Sequence, residues 1–270
     1  MGTDSWKEES EVCLDINRPS HGRTWTRLRL GEHPNSARLL VYCASMDSAS
    51  VNKEIKSVIR PLLQDAGFSQ FTSRTAWRYS REKIDVVNFQ SFNSYLANAV
   101  GCTTYSFCVR LGCSFGAIPQ GARVKRRNGY LRPEEYECHF RLALQKSIKQ
   151  SNLKRTDVWY VDPTGTNLEV VIADAKKAIL EVGLKWFSRF DDMKEVLRTL
   201  LEDSESHEST SGFGANPSPI RHFMTGFTAL TVGKMDLARE RIKQALDSGS
   251  FKEFEPEMHA ALEGMDKQPA

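Results

Sequence analysis

The chain has 270 residues, of which 40% are hydrophobic and 26% are charged. This composition is ordinary for a globular protein and provides for one large domain, or for a medium domain with a smaller one. The 37 basic and 34 acidic residues leave a net charge of +3. That charge neither supports nor excludes nucleic-acid binding, so only a local cluster of basic residues can argue for it.

Features that indicate a location are few. No apolar stretch approaches the ~20 residues that span a bilayer, and no secretory signal or lipidation motif is visible. We therefore expect a cytoplasmic protein with no membrane association, in which the cysteines are buried free thiols rather than disulfides. The six cysteines are Cys13, Cys43, Cys102, Cys108, Cys113 and Cys138.

Residues 1–46 show no helical or strand pattern with a partner nearby, and we expect this extension to be poorly ordered. From Met46 the pattern becomes regular, because Asp47 or Ser48 is a suitable N-cap for the helix that follows. We therefore hypothesise that Met46 is the native start.

Residues 47–201 predict a mixture of helices and strands. Apolar residues at helical spacing from Val51 to Leu63 predict an opening helix, with Gly67 as its C-cap glycine. Alternation and aromatic or β-branched residues predict strands at 72–79, 84–92, 103–113, 136–145 and 157–161. The first two are joined by a short polar turn, which indicates an antiparallel hairpin. Residues 93–101 are ambiguous, and 120–133 read as a basic loop.

The second half of the chain is mainly helical in pattern. A helix is predicted from Asn167, ending at Gly183, followed by an aromatic link at 186–190 and a helix that Asp191 or Asp192 caps. Residues 202–219 are rich in Ser, Glu and Gly and predict a linker. Residues 220–264 predict a helical hairpin that docks on the domain, or a tetratricopeptide-like tail.

Two segments carry a family resemblance. Residues 66–79 (AGFSQFTSRTAWRY) and 84–90 (IDVVNFQ) resemble the opening of the bacterial domain-of-unknown-function family 4304, and residues 105–112 and 160–186 resemble its later strand, helix and Trp turn. The resemblance covers about residues 47–201. It implies an α+β domain with an antiparallel sheet, and it implies no activity and no catalytic residues.

The fold that follows from these patterns is α+β, with an antiparallel sheet of about four to five strands packed with helices and a C-terminal helical tail. The sequence contains no Gly-x-Ser-x-Gly elbow, P-loop, dinucleotide-binding Gly motif or His-Glu-x-x-His. We therefore expect no catalytic activity and no cofactor, while a dispersed site stays open.

The candidate metal ligands are Cys108, Cys113, Cys138 and His139, since thiolates and an imidazole suit zinc. Residues 108 and 113 point to opposite faces of a strand, and so do 138 and 139, so these side chains do not converge. The sequence predicts no metal site.

Two groups of residues are candidates for contact with a ligand or partner. One lies on the first predicted strand, where aromatic and Arg side chains suit an anionic or planar ligand, or simply pack the sheet. The other is the basic loop, where cations and a tyrosine suit nucleic acid or an acidic partner, unless the loop is only solvated. The candidates are Arg74, Trp77, Arg78, Arg123, Lys125, Arg126, Arg127 and Tyr130.

The function predicted from these features is a non-catalytic protein-interaction or accessory module of a bacterial cytoplasmic system, with a protein partner. The alternative is a nucleic-acid-binding factor, or an enzyme with a dispersed site near residues 123–127. An exposed apolar patch at Phe223 or Phe227 would favour the first function. A deep pocket with convergent polar groups would favour the second.

Overall fold

A computed structural model describes residues 46–121, 124–150, 153–202 and 210–267. It confirms the mixed α+β fold with an antiparallel sheet and C-terminal helices. Apart from Met46, the predicted N-terminal extension lies outside the described residues.

The main sheet has six strands in the order β1-β2-β3-β4-β7-β8, and every neighbouring pair is antiparallel. A separate two-stranded ribbon is formed by β5 and β6. The strands are β1 (Gln70–Phe71), β2 (Thr75–Tyr79), β3 (Lys83–Ser91), β4 (Phe107–Phe115), β5 (Lys125–Arg127), β6 (Tyr130–Arg132), β7 (Phe140–Ala143) and β8 (Thr210–Ser211).

Helices lie before, between and after the strands. The described α-helices are α1 (Ser48–Glu54), α2 (Arg60–Asp65), α3 (Ser94–Val100), α4 (Leu168–Ala178), α5 (Leu184–Arg189), α6 (Met193–Leu201), α7 (Pro219–Thr231), α8 (Met235–Asp247) and α9 (Glu255–Asp266). Two π-helical turns, Ile55–Ile59 and Ile179–Gly183, connect α1 to α2 and α4 to α5.

The core lies between one face of the sheet and the helices, and we call this the helix-covered face. Val51 and Leu63 from the opening helix, Val171 from α4 and Phe187 from α5 are buried in one cluster with Leu111 of β4. The opposite face carries a much smaller cluster of Trp77, Val86 and Cys138. We call this the ribbon-covered face, because β5 and β6 lie over it.

The opening helix follows the predicted pattern. The side chain of Asp47 accepts a hydrogen bond from Ser50 N at 2.8 Å, so Asp47 rather than Ser48 is the N-cap. After Ala66, Gly67 adopts φ = 89°, a left-handed conformation that glycine accepts without steric cost.

Several strand predictions were wrong in detail. The main sheet has six strands rather than four or five, because β1 and β8 are two-residue edge strands that are too short to show alternation. Residues 157–161 contribute only a bridge between Trp159 and Phe107. The loop predicted at 120–133 contains the β5–β6 ribbon, and the ambiguous segment 93–101 contains α3, which Asn93 caps.

The predicted helix end at Gly183 and the link at 186–190 were also wrong, because the helical path continues to Arg189. Gly183 has a helical φ of −62° and serves packing instead of termination. A Cβ at this position would lie 3.2 Å from Leu111 Cδ1, which is a tight contact, so glycine favours the close approach of the helix to β4.

The C-terminal helices pack onto α6. Arg221 of α7 is 2% exposed and donates hydrogen bonds to Leu200 O and Glu202 O at the end of α6. Residues of the predicted linker take part in the fold: β8 pairs with β7, and Phe213 is buried. In the described ranges, no helix is long and apolar enough to cross a membrane.

The contact between α7 and α8 depends on a small residue. A Cβ on Gly226 would lie 2.6 Å from Ile242 Cγ1, so the two helices approach closely at this glycine. Phe223 and Phe227 are buried, and Phe223 packs against the rings of Phe251 and Phe254. The tail therefore does not present the exposed apolar patch that these phenylalanines could have formed.

Candidate functional site

The basic segment of the sequence folds into a hairpin rather than a loop. Lys125 pairs with Arg132 and Arg127 with Tyr130, which leaves Asn128 and Gly129 as a two-residue turn. Their φ angles of 50° and 81° are both positive, as the tightest hairpin turns require, and Asn-Gly is the sequence that best adopts them. Local chemistry therefore determines the shape of this ribbon.

Two aromatic side chains of β2 fix the ribbon to the sheet. Trp77 Nε1 donates a hydrogen bond to Pro133 O at 2.9 Å, and Tyr79 Oη donates to Leu131 O at 2.8 Å. The Arg132 guanidinium lies 5.3 Å from the centre of the Trp77 ring. Because backbone carbonyls of the ribbon are bound at two points, the ribbon has a defined position on the sheet.

The strand β5 of the ribbon is strongly basic and exposed. Lys125, Arg126 and Arg127 are all exposed, and none of them forms an ion pair with another described residue. Arg126 donates a hydrogen bond to Gly129 O within the turn. Tyr130 is 45% exposed, with its ring centre 4.9 Å from that of Tyr79. The ribbon thus exposes three cations and an aromatic ring, with Arg126 on the opposite face from Lys125, Arg127 and Tyr130.

The predicted contact residues are therefore divided among separate places. Trp77 is 3% exposed and lies beneath the ribbon, where it acts as an anchor rather than as a contact surface. Lys125, Arg126, Arg127 and Tyr130 are together on the ribbon, as their proximity in sequence predicts. Arg123 lies outside the described residues.

Arg78 lies on the helix-covered face and is part of a buried ionic cluster. Its Nε donates to Asp85 Oδ2 at 2.8 Å, and its Nη1 donates to Ala66 O at 3.0 Å. The guanidinium also lies over the rings of Phe68 and Phe187. These contacts occupy the guanidinium with interactions inside the fold.

Lys83 completes this cluster. Its side chain is 3% exposed, and its ammonium contacts Phe187 O at 2.7 Å, Asp191 Oδ1 at 2.6 Å and Asp85 Oδ1 at 3.2 Å. Burial raises the pKa of Asp85, and the positive charges of Lys83 and Arg78 oppose that rise. An ammonium with three acceptors is fully satisfied, so the cluster ties β3 to the end of α5.

An open pocket of about 360 Å³ borders this cluster, lined by residues 78–83, Asp85 and Asp191. Its lining carries three basic and three acidic side chains, of which Arg78, Lys83 and Asp85 already bond one another. Convergent polar groups are thus present, but they neutralise one another within the protein. The bonds among Arg78, Lys83 and Asp85 stabilise the fold.

Arg74 occupies a third place, in the turn between β1 and β2. It shares the helix-covered side with Arg78, as the sequence predicts, and it lines a small cavity beside the π-helical turn of the opening helix. Its guanidinium forms no hydrogen bond or ion pair with the described residues.

The cysteines and His139 have structural surroundings. Cys113 lies in the main core, whereas Cys108 and Cys138 belong to separate clusters on the other face. His139 Nδ1 accepts a hydrogen bond from Phe115 N at 2.9 Å, and burial lowers the pKa of His139 to about 4. Within the described ranges, no three His, Cys, Asp or Glu side chains are grouped as metal ligands.

Sequence reasoning missed the pairing of Lys83 with Asp85, because Lys83 falls in the predicted polar turn and Asp85 in the predicted strand 84–92. A signal was available, since residues 83, 85, 87 and 89 share one face of β3 and the last two are apolar. That period of two places Lys83 and Asp85 toward the core, where charged groups are retained only with partners.

The family model described as "Domain of unknown function (DUF4304)" matches residues 59–189. This part of the chain belongs to the DUF4304 family. The match confirms the predicted family over a shorter range than the expected 47–201. The DUF4304 domain contains the sheet strands β1–β4 and β7, the ribbon, the ionic cluster and the helices α2–α5.

The other comparisons add no relative. Neither a curated protein nor a solved structure matches the chain. Strand β8 and helices α6–α9 lie beyond the matched residues.

Proposed function

We propose that the protein is a non-catalytic interaction module that binds an acidic protein surface through the β5–β6 ribbon. The observation that carries the proposal is the set of three exposed basic side chains on an anchored hairpin, none of them in an ion pair with another described residue. Surface cations left without internal partners are available for an acidic partner at little desolvation cost.

The anchoring of the ribbon strengthens this proposal. A loop that must become ordered on binding loses conformational entropy, which weakens the complex. Here Trp77 and Tyr79 hold the ribbon before any partner arrives. Tyr130 adds a half-exposed aromatic ring next to the cations, and tyrosine is among the residues enriched at protein interfaces.

A protein partner is favoured over nucleic acid by the carboxylates that follow the ribbon. Glu134, Glu135 and Glu137 lie at the base of β6 and reduce the positive field that a phosphate backbone would need. A protein surface can match such a mixed pattern, whereas a uniformly negative strand cannot.

Nucleic acid is the second candidate because of one observation. Tyr130 is partly exposed and lies directly across the ribbon from Arg127, and an aromatic ring next to a cation is the arrangement on which single-stranded bases stack. In either case the free thiols of Cys102, Cys108, Cys113 and Cys138 fit a reducing compartment such as the cytoplasm.

The test is capture of partners by the tagged full-length protein from its native lysate, with and without nuclease. The variant K125Q/R126Q/R127Q removes the three charges. The control K53Q/K185Q/K243Q removes three exposed charges elsewhere. We expect a stoichiometric protein that survives nuclease, is retained by the control and is lost with the ribbon variant.

Two outcomes would decide against this function. If the captured partners are lost on nuclease treatment, the ribbon binds nucleic acid instead. The log Kd for nucleic acid should then rise steeply with the log of the salt concentration. Equal recovery by the ribbon variant and the control would show that the ribbon does not bind the partner.

A further inference from the structure

A cavity distinct from the ribbon lies between the opening helix and the β1–β2 turn. It measures about 20 Å³, which accommodates roughly one oxygen atom and not a whole organic ligand. Its polar lining consists of Lys56, Arg60, Thr72, Ser73, Arg74 and Thr75, and its apolar floor includes Leu63 and Phe89. Among these described lining residues three are cations and none is a carboxylate.

Arg74 is the unusual member of this lining. Its Nη1 is buried without a hydrogen-bond partner, and its guanidinium has no ion pair with the described residues. Burial lowers the pKa of Arg74 from its usual value. A buried guanidinium is normally paired, because removing its charge from water is costly without an acceptor. An anionic oxygen in the cavity would supply that acceptor.

The other two cations of the lining, Arg60 and Lys56, border the same cavity as Arg74. Arg60 Nη2 donates to Thr72 O at 2.9 Å and its guanidinium lies over the Phe71 ring, so Arg60 holds the turn while contributing positive charge. Lys56 is exposed and lines the same cavity, so its ammonium adds a third positive charge there.

The backbone around the cavity is fixed on both sides. Thr72 Oγ1 accepts a hydrogen bond from Thr75 N at 2.9 Å, and Thr72 N donates to Thr75 O at 2.8 Å, which closes the turn that carries Arg74. On the opposite side, Ile55 and Lys56 belong to a π-helical turn. Such turns occur frequently at functional sites.

We infer that this cavity binds a single oxyanion group, a phosphate or a carboxylate, with one oxygen on Arg74 and the remainder between Lys56 and the β1–β2 turn. The site is independent of the ribbon and of the function proposed for it. The geometry admits one anionic group and leaves the body of any larger molecule outside the cavity.

The test is thermal unfolding of the full-length protein in chloride buffer, at constant ionic strength, with sodium phosphate, sulfate or acetate as the probe. Binding to the native state raises Tm in a saturable way. The variant R74Q is expected to weaken binding about tenfold or more, and K56Q by a smaller factor, because each removes a cation from the site. The matched control R81Q alters an exposed arginine outside the cavity lining and is expected to bind as the wild type does.

The three probes identify the group. A response to phosphate and sulfate but not to acetate assigns a phosphate-type ligand, and the reverse assigns a carboxylate. The absence of a saturable shift with every probe would overturn the inference. So would equal affinities of R74Q and the wild type, or loss of anion binding in K125Q/R126Q/R127Q, which would place the anion on the ribbon.

If R74Q fails to fold, K56Q decides the question, since Lys56 is exposed and its replacement leaves the core intact. Affinity of K56Q equal to that of R81Q would then contradict the site. A weaker affinity of K56Q would support it.

Discussion

The two faces of the sheet differ in how they are covered. The helix-covered face packs against helices through one continuous apolar cluster, beside which Arg78, Asp85 and Lys83 form their ion pairs. The ribbon-covered face contacts a short hairpin through a few aromatic residues and two side-chain hydrogen bonds. The first face contains most of the buried core, and the second holds the exposed basic ribbon in a defined position.

A single strand can contribute both to the main core and to the attachment of the ribbon. Along β2, Ala76 and Arg78 point to the helices while Trp77 and Tyr79 point to the ribbon. Substitutions on the helix-covered face should therefore reduce global stability. Substitutions on the ribbon-covered face should mainly reduce the local stability of the ribbon.

The largest effect is expected from Phe140→Ala on the helix-covered face. The Phe140 ring is fully buried and packs against the rings of Phe115, Phe190 and Phe213. Its truncation should lower the free energy of unfolding by about 3–5 kcal/mol in urea denaturation.

The control for this change is Tyr136→Ala, where the ring is 69% exposed. That variant should stay within about 0.5 kcal/mol of the wild type. Equal losses in the two variants would contradict the assignment of the core to the helix-covered face.

A smaller effect is expected from pH, through His139. The pKa of this buried imidazole falls from 6.5 to about 4, so the unfolded state takes up a proton first as the pH drops. Stability is therefore fully present above pH 6.5 and is lost toward pH 4, by up to about 3 kcal/mol at about 1.4 kcal/mol per pH unit.

The measurement is urea unfolding of the wild type and of His139→Gln between pH 7.5 and pH 4. Gln keeps an acceptor for Phe115 N but does not titrate, so the difference between the two proteins should shrink as the pH falls. A constant difference across that range would show that His139 does not titrate in this way.

The smallest effect on global stability is expected from Trp77→Phe under the ribbon. The change removes the hydrogen bond to Pro133 O and part of the ring, at a cost of about 1–2 kcal/mol. Hydrogen exchange should accelerate at the amides of β5 and β6, because the ribbon loses one of its two anchors.

Trp186→Phe is the matched comparison, since Trp186 donates its hydrogen bond to Thr210 Oγ1 in another part of the sheet. Exchange in the ribbon should stay unchanged there. If both variants accelerate ribbon exchange to the same degree, the ribbon responds to global stability and the distinction between the faces fails.

Much of the fold was predictable from local patterns. Helical spacing located the opening helix, residue type limited its cap to Asp47 or Ser48, and alternation located β2, β3 and β4 to within a few residues. The basic ribbon residues were found because they are adjacent in sequence. The Asn-Gly turn that shapes them was also visible there, although the segment was read as a loop.

The sequence by itself thus determined the fold class, the family and the position of the basic cluster, because these depend on residues close together in the chain. Tertiary structure alone decided which charges are internally paired. Lys83 meets Phe187 O and Asp191 about one hundred positions away in sequence, whereas Arg74 meets no described partner. Gly183 lies inside a helical path rather than at its end, and there it packs close to Leu111 on a distant strand. The period of a strand or helix can show which side chains face the core. It does not show which distant groups they contact, since only the folded chain brings those groups together.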